Sequence, residues 1–436
     1  MLIIPAILLH AIWLIPLAQH LVGLATAAIV YAVLVRFRAR PWLAALATIP
    51  VLFDPLQLAL EQYVLTDTWT VFLLAAALAI LVWPRDEPRD EPRDEPRDAK
   101  PGWRPVTASG LLLGLAVTFR DEELIMIVPA ALYLIVAVRP WRLMARRLAA
   151  LAGCFLIPVA GYLGWFYAGH GEAGFTTFSG AFLYGRVADF ASCQGLKLPA
   201  YEKPLCPTQP LAERNADFYT WDPQSPQWTF HPPLGMSRDA VVLDFSLRIL
   251  RHQPLAYADA VGRDFIYGFS PVRGAGPEHY SPAYLQFHTY ILPDPQADAS
   301  LRALGFGAPA VTPGLARVLT DYGRWLYVPG PVFAAGLVVG LVAVVTGRRR
   351  GTQRNACLLF TAGAILVLIP PAAFATFDWR YQLPQLTLIP AAAVLGAVAM
   401  GGRRLSSART ASAGTGPPDP PASAESGLRA SDARLP

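Results

Sequence analysis

The chain has 436 residues, of which 54% are hydrophobic and only 15% charged, well below the roughly 25% charged residues of an average soluble domain. That shortfall, together with repeated apolar runs, excludes an ordinary soluble domain and makes an integral membrane protein the leading class. The net charge of +5 does not mark a nucleic-acid partner, because the basic residues sit beside apolar runs, where they act as topology markers in contact with membrane lipids.

A helix needs roughly 20 residues to cross the hydrocarbon at about 1.5 Å per residue. Candidate spans lie near 17–36, 41–58, 66–83, 105–119, 122–138, 148–168, 326–346, 356–375 and 383–400. The expected fold is therefore an all-α polytopic membrane protein, a bundle of about nine (eight to ten) transmembrane helices. Residues 1–16, MLIIPAILLHAIWLIP, are apolar too and read as an interfacial segment or a tenth span. No basic region precedes them and no small-residue cleavage site stands out, so no removable signal peptide is expected.

Orientation follows from the arginines. Arg36, Arg38 and Arg40, the run RPWRLMARR at 139–147, GRRR at 347–350 and Arg403–Arg404 are expected on the cytoplasmic side of a plasma membrane. Alternate loops then fall outside: 59–66, the turn Arg120–Glu123, the large segment 169–325, and FDWRYQLP at 377–384. By this scheme the first helix begins outside. Either residues 1–16 cross, or an upstream helix and loop precede Met1.

The expected divisions are 1–83 and 105–168 for the first transmembrane helices, 84–104 for a cytoplasmic linker, and 169–325 for a loop-rich extracytoplasmic domain. Residues 326–400 form the last helices and 401–436 a disordered cytoplasmic tail. The linker contains PRDEPRDEPRDEPRD, residues 84–98. Proline at every fourth position removes backbone donors and blocks a regular helix, so it reads as a solvated spacer.

In the external segment, Cys193 and Cys206 lie 13 residues apart on the oxidising side. That spacing suits a disulfide, and closing such a loop stabilises by about 3 kcal/mol. Cys154 and Cys357 lie inside predicted spans and read as buried apolar fillers. No CxxC spacing suggests a metal site, and His231, His252, His279 and His288 show no i, i+4 pairing. Residues 239–269 have a helical period in which Val242, Phe245, Ile249 and Leu250 share a face, expected to lie against the membrane surface.

Charges near spans usually face a cavity or another charge, because lipid exposure costs several kcal/mol. Glu61, Asp67, Arg120, Asp121, Glu122, Glu123, Asp378 and Arg380 all fall at predicted outer helix ends. Acids and arginines gathered on one face suit an anionic, lipid-linked phosphate: arginine clamps phosphate oxygens, and a carboxylate holds a divalent metal or takes a proton.

The run at residues 20–81, with LTDTWTVFLL, resembles membrane glycosyltransferases of the GT-C superfamily. Asp67 falls on the acidic position that opens their third helix. GLAVTFRDEELIMIVPAALYLI at 114–135 is similar to the following helix pair, with Arg120 at its turn. FDWRYQLPQLTLIPAAA at 377–393 resembles the arginine-tyrosine–proline element opening the last helix, supplied by Arg380, Tyr381 and Pro384. The external block LYGRVADFASC…LCP, residues 183–207, is similar to that of actinobacterial members that use lipid carriers, and it contributes Arg186.

The resemblance implies transfer of a sugar from a polyprenyl-phosphate donor to an acceptor on the outer face, as in protein O-mannosyltransferases and aminoarabinose transferases. Asp67 and Glu61 would be the catalytic acids, and Arg120, Arg380, Tyr381 and Arg186 the ligands of the lipid phosphate. A divalent metal is the one cofactor such a site would use. The family's catalytic aspartate lies in the first external loop, before the span matching 17–36. Residues 1–53 contain no Asp or Glu, and Asp54 is the first acid. The resemblance thus implies a start upstream of Met1 that supplies this loop. The competing readings are a non-catalytic member of the same fold and a lipid or solute transporter, the latter without the internal repeat it would be expected to show.

Overall fold

In the computed structural model, residues 4–83, 101–274, 286–291, 294–307, 310–347 and 351–412 are described, the side chains of 402–412 excepted. The PRDE repeat, His279, Arg348–Arg350 and residues 413–436 lie outside the described residues. Every regular element among the described residues is helical.

After a five-residue helix at Ile4–Leu8 come α1 (Leu14–Arg36), α2 (Pro41–Phe53), α3 (Pro55–Leu60) and α4 (Asp67–Val82). Next are α5 (Trp103–Phe119), a 3-10 turn at Asp121–Met126, α6 (Ile127–Ala137) and α7 (Trp141–His170). The segment beyond holds α8 (Ser179–Ala188), α9 (Arg238–His252) and α10 (Pro254–Tyr267) among shorter turns. The chain then returns through α11 (Pro313–Trp325), α12 (Gly330–Thr346), α13 (Thr352–Leu366), α14 (Ile369–Phe374), a 3-10 turn at Trp379–Gln382 and α15 (Leu383–Ser412).

By length and apolarity, four helical stretches among the described residues can cross a membrane: Leu14–Arg36, Trp141–His170, Thr352–Phe374 and Trp379–Gly401. A fifth is the pair α11 and α12, bent by 52°. The expected count of about nine is not confirmed, because several of the predicted spans are interrupted. The run 41–58 breaks at Asp54, which is extended (φ −67°, ψ 127°) and accepts from Leu56 N to start α3, with Pro55 at its first position. That leaves α2 with 13 residues, about 20 Å against a hydrocarbon core of about 30 Å. The run 122–138 opens as a 3-10 turn, leaving α6 with 11 residues.

The bundle core is continuous. α4 packs on α1 and α5, α5 on α7, and α13 on α6, while α15 contacts α1, α2, α4, α12 and α13. The tightest crossing depends on two glycines four residues apart on α5. A Cβ at Gly110 would stand 2.5 Å from the Leu151 carbonyl oxygen, and one at Gly114 2.2 Å from that of Phe155. Small residues at this spacing let the α5 and α7 backbones touch.

A second core sits in the 179–252 region, where Tyr184, Val187, Leu205, Tyr219, Val242, Phe245 and Ile249 are buried together. Val242, Phe245 and Ile249 therefore face α8 and not the membrane surface, and the predicted long helix is two, separated at Gln253 by Pro254. Cys193 and Cys206 form the expected disulfide, with Cα atoms 6.2 Å apart. Cys357 is fully buried and Cys154 half-buried.

Candidate active site

Three segments remote in sequence converge at one end of the bundle. Asp67 is the first residue of α4, where a carboxylate complements the helix dipole. Arg120 ends α5 in extended conformation (φ −149°, ψ 115°), which turns its side chain back across the bundle. Its Nη1 pairs with Asp67 Oδ1, while Nε and Nη2 donate to the two oxygens of Glu122 at 3.3 Å. Asp67 is buried, at 4% side-chain exposure, and Arg120 nearly so, at 12%.

The third segment is the turn Trp379–Gln382. Asp378 caps it by accepting from Arg380 N at 3.2 Å, and its other oxygen lies 3.1 Å from Arg380 Nε. Tyr381 is buried between two guanidinium groups, with Arg120 Cζ 4.9 Å and Arg380 Cζ 5.3 Å from its ring centroid. Such contacts are worth about 0.5–2 kcal/mol each, more when desolvated. The turn is held from the far side: Trp379 Nε1 donates to the Gly274 carbonyl at 3.1 Å, and Gln382 Nε2 to that of Gly268 at 2.6 Å.

The turn Arg120–Glu123 carries unequal acids. Burial pushes the Glu122 carboxyl up, but the Arg120 guanidinium more than offsets this and holds it below the usual range. Glu123, one residue on, makes no such pair. Burial pushes its carboxyl up to about 8, against the pull of Arg120, and its Oε2 has no hydrogen-bond partner among the described residues. Burial thus favours the protonated form of Glu123.

Two cavities meet at Tyr381. One, of about 10 Å³, is bounded by Asp67, Arg120, Glu122, Glu123 and Tyr381 and has room for about one water. The other, of about 210 Å³, lies between the bundle and the 179–264 region and is bounded by Arg186, Thr220, Trp221, Asp378, Arg380 and Tyr381. Arg186 reaches it from α8. It is 1% exposed, with Nη1 donating to Asp264 Oδ2 at 2.8 Å and lying 3.5 Å from Asp189 Oδ2. Asp264 Oδ2 also accepts from Phe377 N at 2.9 Å, which ties α10 to the Arg380 turn.

Of the residues expected at the site, Asp67, Arg120, Arg380 and Tyr381 form one contiguous cluster, and Arg186 faces the same cavity as the last two. Glu61 belongs to a different network. Its Oε2 pairs with His20 Nδ1 and its Oε1 accepts from Gln57 Nε2 at 2.7 Å, while Gln19 Nε2 donates to its carbonyl at 2.9 Å. Asp264, Thr220 and Trp221 were not expected. Only the chain path brings them in, and no spacing in the sequence marks them. Among the described residues no three His, Cys, Asp or Glu side chains are placed to hold a metal ion. Asp67 and Glu122 are both engaged by Arg120, so these acids do not fit a divalent-cation site.

Comparison with the curated proteins and with the solved structures found no match. Residues 10–172 match the family model described as dolichyl-phosphate-mannose-protein mannosyltransferase. The match takes in α1 to α7, with Asp67 and the Arg120–Glu123 turn, and ends before Arg186, Arg380 and Tyr381. Over residues 10–172 the chain is thus similar to the dolichyl-phosphate-mannose-protein mannosyltransferase family, a family of the GT-C superfamily of membrane glycosyltransferases.

Proposed function

We propose that the protein transfers a sugar from a polyprenyl-phosphate donor to an acceptor at the extracytoplasmic face of the plasma membrane. The family supplies the coarse part of this reading, a membrane glycosyltransferase fed by a polyprenyl-phosphate-linked sugar. The observation that carries the rest is the stack of Arg120, Tyr381 and Arg380 at the mouth of the cavity of about 210 Å³. Arg120 is neutralised by Asp67 and Glu122. Arg380 faces one carboxylate, Asp378, through Nε and keeps about a third of its side chain exposed, so the rest of its guanidinium is what meets the lipid phosphate.

In the reaction, an acceptor hydroxyl oxygen forms a bond to the anomeric carbon while the bond from that carbon to the phosphate oxygen breaks. The electron pair stays on the phosphate, where the Arg380 guanidinium stabilises it, and a carboxylate takes the hydroxyl proton. Asp67 is an orienting acid in this scheme, since its carboxylate holds Arg120 against Tyr381. Sugar hydroxyls and acceptor enter from the cavity side. Transfer of labelled sugar from polyprenyl-phosphate donors by membranes containing the protein tests this. Removing one stabilising cation costs on the order of 100-fold in rate, so Arg380→Ala should lose about that much. Transfer that persists undiminished in Arg380→Ala would rule out the assignment.

A further inference from the structure

We infer that α11 is an interfacial helix whose exposed apolar face is seated in the bilayer surface, at the boundary of headgroups and acyl chains. The partner is a lipid surface, and the inference is independent of the sugar-transfer reading. Its basis is the sequence PGLARVLTDYGRW, which divides round the helix into three stripes, each at helical spacing.

The first stripe packs on the protein. Ala316 is buried, Thr320 Oγ1 donates to the Phe287 carbonyl at 2.7 Å, and Gly323 lies against Pro55 of α3, whose Cβ would be 3.6 Å from a Cβ added there. The second stripe is polar: Arg317, Asp321 and Arg324, the last two 3.5 Å apart and both largely exposed. The third is apolar and uncovered: Leu315, Val318 and Trp325 are 58%, 65% and 84% exposed. An uncovered apolar stripe beside a charged one is the pattern of a helix lying at a membrane surface. Tyr322, at the edge of the apolar stripe, donates its hydroxyl to the Phe53 carbonyl. α11 thereby covers the break between α2 and α3.

Two observations name the bilayer as what covers the third stripe. Only residues 326–329 separate α11 from α12, and the exposed apolar surface runs on through Leu326 to Val332, Val338 and Val345 of α12. At 17 residues, α12 is about 25 Å long against a hydrocarbon core of about 30 Å. The chain therefore meets the headgroup layer near Trp325 and Tyr327, residue types enriched at that level. The second observation is the bend of 52° between the two helices. α11 is not the upper half of a straight span, where its charged stripe would cost several kcal/mol in hydrocarbon. At that inclination the roughly 15 Å of helix between Leu315 and Trp325 makes Trp325 the deepest residue. Arg317 and Asp321 stay on the water side, and the long Arg324 side chain reaches back to the headgroups.

The test is spin-label accessibility on the full chain in lipid nanodiscs. Labels are placed singly through Leu315→Cys, Val318→Cys, Trp325→Cys, Arg317→Cys and Asp321→Cys in a Cys154→Ala parent. Cys193 and Cys206 are bridged and Cys357 is fully buried, so the parent treated with the label gives the background. Relaxation by oxygen, which enters hydrocarbon, is compared with relaxation by a water-soluble nickel chelate. Hydrocarbon excludes the polar chelate, so the oxygen-to-nickel ratio should be about 10-fold higher on the apolar stripe than at 317 and 321, and highest at 325. A ratio that is the same on both stripes means a helix in water and overturns the inference. Exclusion of both reagents from 315, 318 and 325 means that a protein partner or a second copy covers the stripe, and overturns it as well. Neither result touches the sugar-transfer reading, because no residue of α11 belongs to the Arg120–Tyr381–Arg380 stack.

Discussion

Replacing Asp67 by asparagine probes how the site is held together. Removing one partner of a buried ion pair costs about 3–5 kcal/mol when the other charge is stranded. Asp67→Asn does not strand Arg120, because both Glu122 oxygens still accept from it at 3.3 Å. The loss is that of one charge-assisted hydrogen bond, about 1.5–3 kcal/mol. Arg120→Met, by contrast, leaves two carboxylates without their cation, one of them at 4% exposure, and should cost the full amount of about 3–5 kcal/mol. Unfolding by SDS in mixed micelles measures both. The double variant should fall short of the sum by about 1–3 kcal/mol, the signature of a direct pair. Additive costs, or an Asp67→Asn penalty equal to that of Arg120→Met, would refute the pairing scheme.

Glu123 gives a pH test. Its carboxyl in the folded state lies near 8, above the usual value of about 4.3, so the folded chain holds a proton that the unfolded chain releases. Stability should therefore be greatest at low pH and decline as pH rises through the window from about 4.3 to 8. Glu123→Gln should flatten that slope, measured as thermal unfolding in detergent at pH 5 and pH 8. Gly114→Val tests the α5–α7 contact: its side chain would start 2.2 Å from the Phe155 carbonyl oxygen. Overpacking of that kind costs about 1–3 kcal/mol, read by the same SDS titration, while Gly153→Ala, at a position with open space, should change little.

The sequence made parts of this site legible for physical reasons. Asp67, Arg120 and Arg380 stood out because a charge beside an apolar run is expensive unless it meets a partner, and each of them does. The cysteine pair was legible because spacing and compartment both pointed the same way. Asp54 was readable as a helix break as well, since an acid followed by proline is a start signal, yet the apolar run around it hid the interruption and made one long span of two short helices. The networks around Glu61 and Arg186 were not legible for a different reason. Their partners, His20 and Asp264, lie 41 and 78 residues away, and nothing local shows that a carboxylate already has its cation or an arginine its anions. The period of 239–269 fixed which residues share a face. It carried no information about what covers that face, and the second core around Tyr184 does so.

The most direct test of the central claim, that the Arg120–Tyr381–Arg380 stack receives a lipid phosphate, is the affinity of the purified protein for polyprenyl monophosphate against the uncharged polyprenol. One arginine–phosphate contact is worth about 1.5–3 kcal/mol, on the order of 10- to 100-fold. The wild type should prefer the phosphate by at least that factor, and Arg380→Ala should bring the two lipids close to equal. Equal binding of phosphate and alcohol by the wild type, or a phosphate preference untouched by Arg380→Ala, would contradict the account.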